Sequence, residues 1–203
     1  MRRRNGLPPS TRGLAATGLL VAATAITGVL VCQSAPSPVR LAGAVLRGDH
    51  GGRAHLDDGG LPNGVTVFAD EYPGVANLAP DLMGALRAAA TEAGNDAIQF
   101  RVNSGWRSRE HQNRLRRAAV AKYGSPEAAA RWVATADTSA HVSGNAVDLG
   151  PDAAAWLSAH GAAYGLCQIY RNEPWHYELR PEAIAHGCPA MYPDPAHDQR
   201  MRQ

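Results

Sequence analysis

The sequence predicts one α+β domain over residues 64–190 of a 203-residue chain. Three observations lead there. Strand-like and helix-like segments follow one another without the regular β-α-β alternation of a parallel sheet. About 125 residues remain once the two ends are set aside, enough for a single hydrophobic core. The segments are punctuated by Gly, Pro, Ser and Asn at positions where those residues start or stop elements.

The elements follow in order. Residues 64–68 alternate as a short strand. Residues 80–93 carry Leu82, Leu86, Ala89 and Ala90 at helical spacing. Residues 97–102 read as a strand that delivers Ser104–Ser108 at its C-terminal end. Two helices are expected next, at 108–122 and 126–136; Ser125 is an N-cap and Pro126 fits the first helical position. Residues 136–145 form a loop, 146–149 a strand, and 152–163 a helix that ends before Gly165. Strands at 166–171 and 175–179 are joined by 172–174. On the last strand His176 and Glu178 share one face, with Trp175 and Tyr177 on the other.

The ends read differently. Residues 1–12 hold four arginines and no acid, and residues 13–32 are twenty uncharged, mostly apolar residues. That plan predicts an export signal or an uncleaved membrane anchor within residues 1–35. Val31 before Cys32 fits a lipoprotein signal poorly. Residues 36–63, rich in Gly, Pro, Asp and Arg, read as a flexible linker in which His50 and His55 are solvated. Residues 191–203 read as a disordered tail. Beyond residue 12 the chain carries sixteen Lys and Arg against eighteen Asp and Glu, so no basic nucleic-acid face is supported. In an oxidising exported compartment the remaining cysteines, Cys167 and Cys188, are expected to pair, leaving Cys32 out.

Chemistry concentrates in two short segments, Ser139–Asp148 and Glu173–Glu178. His141, Asp148 and His176 are a ligand set that suits Zn²⁺, and three protein ligands leave one tetrahedral position open. Glu173 can then take a proton from a water at that position and pass it to a leaving amine. Gly144 and Ala146 between the ligands leave room for close approach, and Pro174 keeps Glu173-x-x-His176 out of an ordinary helix. The helical His-Glu-x-x-His motif is absent. Position 119, three before the single lysine Lys122, is Ala, so the Ser-x-x-Lys machinery of serine-type penicillin-binding enzymes is absent too. No nucleophile elbow and no phosphate-binding glycine loop occurs.

Ser139-x-His141-x-x-Gly144-x-Ala146-x-Asp148, then Glu173-Pro-Trp-His176-Tyr, preceded by Ser104-Gly-Trp-Arg107-Ser108 with Gln112, resembles the zinc D-alanyl-D-alanine carboxypeptidases of the VanY type. Trp106 replaces the Tyr usual there. The resemblance covers residues 64–190. It implies a small antiparallel sheet with helices packed around a zinc cleft, as in the hedgehog/DD-peptidase fold. It implies one Zn²⁺ on His141, Asp148 and His176, with Glu173 as base. Arg107 would face the scissile carbonyl or the substrate carboxylate, and Ser108, Gln112 and Ser139 would hold the substrate's C-terminal end. Ser108 also fits the N-cap of the following helix. The implied substrate is a peptidoglycan stem peptide, met outside the cytoplasm by a monomeric enzyme in the cell wall or on the membrane. An L,D-carboxypeptidase, an endopeptidase, or a zinc-stabilised binding module without catalysis are the alternatives.

Overall fold

The computed structural model describes residues 55–202; the expected export segment, Cys32 and His50 lie outside the described residues. Strands β1 (Val102–Ser104), β2 (Ala146–Leu149), β3 (Leu166–Gln168) and β4 (His176–Leu179) form one sheet in the order β1-β2-β4-β3, antiparallel throughout. Helices α1 (Pro73–Ala76), α2 (Pro80–Ala93), α3 (Arg109–Tyr123), α4 (Pro126–Ala130), α5 (Pro151–His160) and α6 (Ala183–His186) surround it. The expected α+β class with a small antiparallel sheet is what forms.

Strand alternation divides the sheet into an apolar face and a chemical face. Val147, Leu149, Leu166 and Tyr177 join Leu82 and Leu86 of α2 and Leu157 of α5 in one buried cluster. Ala146, Asp148, His176 and Glu178 point the other way, all of them buried. Asp148 stands directly opposite His176 in the β2–β4 register. Pro80 opens α2 with Asp81 in its first turn, and Leu82, Leu86, Ala89, Ala90 and Ala93 supply its buried stripe. α3 is mostly polar and buries only Gln112 and Ala119. It is held by its caps, Ser108 accepting from the His111 amide and Gly124 in the left-handed region.

Several expected boundaries move. Residues 64–68 make one isolated bridge, Thr66 to Arg101, rather than a strand. Ala97 turns left-handed at φ 59°, so extended pairing begins only at Val102. α4 stops at Ala130 rather than 136. Beyond it the Val133 and Ala134 carbonyls accept from Arg116 and Gln112 of α3 instead of continuing the helix. The helix expected to reach 163 ends at His160 and tightens into a 3₁₀ turn, Gly161–Tyr164.

The described parts of both flanks, residues 55–63 and 191–202, are ordered where flexibility was expected. Asp58 accepts from Arg114, from the Ser108 amide and from the Ser108 hydroxyl. That docks residues 55–60 on the start of α3. The supposed tail forms 3₁₀ turns at Pro195–His197 and Gln199–Arg202, with Asp194 and Asp198 buried at 1% and 0% exposure. The composition that suggested disorder supplies paired charges, Asp194 to Arg131 and Asp198 to Arg200.

Cys167 and Cys188 are bonded as expected. Cys167 sits opposite Glu178 in the β3–β4 register, so the bridge ties the C-terminal segment to the chemical face.

Candidate metal centre

β2 and β4 place Asp148 and His176 side by side, and the turn before β2 adds His141. That turn is fixed by Gly144, which has φ 73°. A Cβ there would come within 2.5 Å of the Asn77 carbonyl, so only glycine fits without a shift. His141 Nε2 lies 3.2 Å from His176 Nδ1 and 3.3 Å from Asp148 Oδ1. His176 Nδ1 lies 3.1 Å from the same Asp148 oxygen.

The partners on the far side of each ring decide what those atoms are. His141 Nδ1 is 2.8 Å from the Gly105 carbonyl, to which it donates, so Nε2 keeps its lone pair. His176 Nε2 is 3.3 Å from Glu178 Oε1, so in the neutral ring the proton is there and Nδ1 carries the lone pair. Two nitrogen lone pairs and a carboxylate oxygen therefore converge. Three tetrahedral ligands about 2.0–2.1 Å from one ion would stand about 3.3 Å from each other, close to the triangle observed. The donor set and its spacing fit zinc. No other group of three potential ligands occurs among the described residues.

The protons respond to the same arrangement. Burial and Arg107 hold His141 below its ordinary value. Burial also works against charging His176, but Asp148 and Glu178 outweigh it and raise it to about 9, so a zinc ion binding there would displace the Nδ1 proton to reach the lone pair. Burial would raise Asp148, yet the two histidines and Arg107 hold it well below the usual carboxylate range.

Arg107 lies across the site. Its Nη2 donates to Asp148 Oδ2 at 2.7 Å, its Nε to Ser104 at 2.7 Å and its Nη1 to Gln112 at 3.2 Å. Gln112 is itself anchored on the Ala134 carbonyl. The loop bearing Arg107 needs Gly105, where a Cβ would meet the Gly74 carbonyl at 2.0 Å. Glu173 is 7% exposed and makes no side-chain hydrogen bond among the described residues; Oε2 is 4.0 Å from His176 Nδ1. Burial pushes its carboxyl up to about 7.

A cavity of about 260 Å³ opens over these groups. Arg107, Gln112, Ser139 and Glu173 line its polar side, and Trp132 and Met201 are on its apolar side. Ser108 is outside it, capping α3 and bonding Asp58. The sequence reading did not find the partners behind the ligands. Glu178 was visible as the residue two on from His176 on the same face, but Tyr170 and Arg200 carried no signal.

Residues 75–182 match the family model of VanY, D-alanyl-D-alanine carboxypeptidase. The chain belongs to that family. Among solved structures it is similar to VanYB in complex with D-alanine-D-alanine, at 25% identity and TM-score 0.49, over 54% of this chain and 74% of that one. It is also similar to a mutant vancomycin-resistance D,D-pentapeptidase VanY in complex with Zn(II), at 27% identity and TM-score 0.47, over 50% of this chain and 72% of that one. DacB from Streptococcus pneumoniae is similar at 26% identity and TM-score 0.45, over 58% of this chain and 77% of that one. No curated protein is a significant match. In this VanY-family chain the matched span contains Arg107, His141, Asp148, Glu173 and His176, but neither Asp58 nor Arg200.

Proposed function

We propose that this chain is a zinc D-alanyl-D-alanine carboxypeptidase that removes the terminal D-Ala from peptidoglycan stem peptides outside the cytoplasm. The observation that carries the reading is the lone-pair triangle of His141 Nε2, Asp148 Oδ1 and His176 Nδ1. Beside it lie the buried Glu173 carboxylate, 4.0 Å from His176, and the Arg107 guanidinium. Family membership supplies the substrate class. Residues 1–35 would deliver the domain as a signal or anchor, and the Cys167–Cys188 bond suits an oxidising compartment.

A zinc ion held there would supply Lewis acidity, lowering the pKa of an attacking water and polarising the scissile carbonyl. The chain's residues do the rest. Glu173 has only His176, at 4.0 Å, near its oxygens among the described residues, which suits accepting the proton of that water and delivering it to the departing D-Ala amine. Its low exposure strengthens both transfers by excluding bulk water. Arg107 presents a planar cation held by Ser104, Gln112 and Asp148 before any substrate arrives. Such preorganised charge suits a developing oxyanion or a terminal carboxylate. Gln112 acts through Arg107, and Ser139 is left on the cavity wall to meet the peptide.

The test is product analysis. The zinc-loaded protein is incubated with stem pentapeptide and tetrapeptide, and masses are read. Loss of one D-Ala from the pentapeptide is expected. Cleavage of the tetrapeptide alone would give the L,D-carboxypeptidase reading, and internal cleavage the endopeptidase. Cleavage of neither, across a panel of stems, would give the binding module.

A further inference from the structure

Glu178 is a buried carboxylate, 1% exposed, lying behind a metal ligand rather than in front of the cavity. Its Oε1 accepts from His176 Nε2. Its two oxygens are also gripped by Arg200, Nη1 to Oε2 at 2.7 Å and Nη2 to Oε1 at 3.2 Å. Arg200 comes from the C-terminal segment and is itself held by the fully buried Asp198, which receives its backbone amide and its Nε. Asp198 also accepts from the Tyr170 hydroxyl at 3.0 Å, and the Tyr170 ring lies 5.1 Å from the His176 ring. Two routes therefore run from residues 198–200 to one imidazole.

We propose that the C-terminal segment belongs to the metal centre: Arg200, acting through Glu178, is a positioning residue for His176. The physical reason is a competition. Arg180 also donates to Glu178 Oε2, at 2.7 Å, through a single contact. Without Arg200 the carboxylate can rotate towards Arg180 and leave His176 Nε2. The two-pronged grip of a guanidinium fixes the plane of a carboxylate as a single contact cannot. A carboxylate on the far nitrogen of a ligating histidine sets its tautomer and orientation and raises its basicity. The segment is outside the span shared with the family model. Met201 follows immediately and lines the cavity, so the same segment that holds the ligand also walls the substrate's space.

This inference rests on the zinc reading above, and the experiment separates the two. Zinc affinity of the full chain is measured by competition with a chelator, with thermal melting of the metal-free form alongside. A wild-type protein that binds no zinc removes the reading itself. Given binding, Arg200→Ala and Glu178→Gln are expected to weaken it about 10- to 100-fold, and Arg200→Lys to recover part of the loss. Arg131→Ala, which cuts the Asp194 anchor but not Glu178, is expected to bind zinc as the wild type does. Unchanged affinity in folded Arg200→Ala and Glu178→Gln overturns the inference, as does an equal loss in Arg131→Ala. Should the Arg200 and Glu178 variants fail to fold, nitrogen NMR of the zinc-loaded wild type decides. His176 protonated on Nε2 supports the inference, and His176 protonated on Nδ1 overturns it.

Discussion

Arg107 bonds the Asp148 oxygen that the histidines do not use: Nη2 meets Oδ2 at 2.7 Å, while Oδ1 faces His141 and His176. One carboxylate thus couples the proposed ligand triangle to the one guanidinium of the three sequence motifs. Arg107→Lys keeps the charge but loses the fork. It is expected to lower kcat/KM on a stem ending in D-Ala-D-Ala by about 10- to 100-fold, equivalent to one hydrogen bond to a charged group at about 1.5–3 kcal/mol. Zinc content should stay near one. Amidating the substrate's C-terminus should slow cleavage as well, and equal cutting of amide and acid would mark an endopeptidase.

Removing any one of His141, Asp148 or His176 by alanine should abolish stoichiometric zinc, because two remaining donors cannot fix the ion. Metal analysis after dialysis reads the outcome. Chelator should lower the melting temperature of the wild type and leave the three variants unmoved, since only a protein that binds zinc gains stability from it.

Glu173→Gln should keep zinc and cost about 10²- to 10⁴-fold in kcat, the usual contribution of a positioned proton-transfer group. Loss of metal in this variant would make Glu173 a ligand, and full turnover would remove its role as base.

The bond between Cys167 and Cys188 closes a loop with a sequence separation of 21. A loop of that length predicts about 3 kcal/mol of stabilisation from restricting the unfolded chain. Cys167→Ser with Cys188→Ser should lower the midpoint of urea unfolding accordingly. Because Cys188 precedes the segment bearing Arg200, hydrogen exchange should rise first in residues 191–202.

Burial works against the Asp198 carboxylate, but the Arg200 side chain and amide and the Tyr170 hydroxyl outweigh it and hold it below the usual range. A depressed folded-state value means the group stabilises the fold above its unfolded pKa of about 3.9, and this contribution fades as pH falls through the folded value. The melting temperature is expected to fall between pH 6 and pH 3. Asp198→Asn should be less stable than the wild type at pH 6 and show a smaller fall. An identical fall in both would remove Asp198 from the account.

The chemical residues were legible because the segments that carry them are short and local. His141 to Asp148 spans one turn and one strand, and Glu173 to His176 one turn and the start of another, so two local segments, with the family resemblance they carry, bring out the proposed ligands. The partners behind them were not legible because they come from far away. Arg200 reaches Glu178 across 22 positions, and Asp58 reaches Ser108 across 50. Both lie in stretches whose Gly, Pro and Asp content reads as loose chain. Composition reports backbone preference there, while the order comes from paired charges that only tertiary structure brings together. The helix after Pro126 was overextended for a related reason: periodicity does not show that the arginine and glutamine of α3 will claim the next carbonyls.

The β2–β4 register has a consequence for assembly. Side chains alternate along a strand, so a slip of one position between β2 and β4 would turn Asp148 and His176 to opposite faces. Such a misaligned sheet could not gather three donors around a point. An ion that binds only the correct alignment therefore acts as an inspector of strand pairing. Chains that mispair would fail to load, and the metal would favour those that paired correctly.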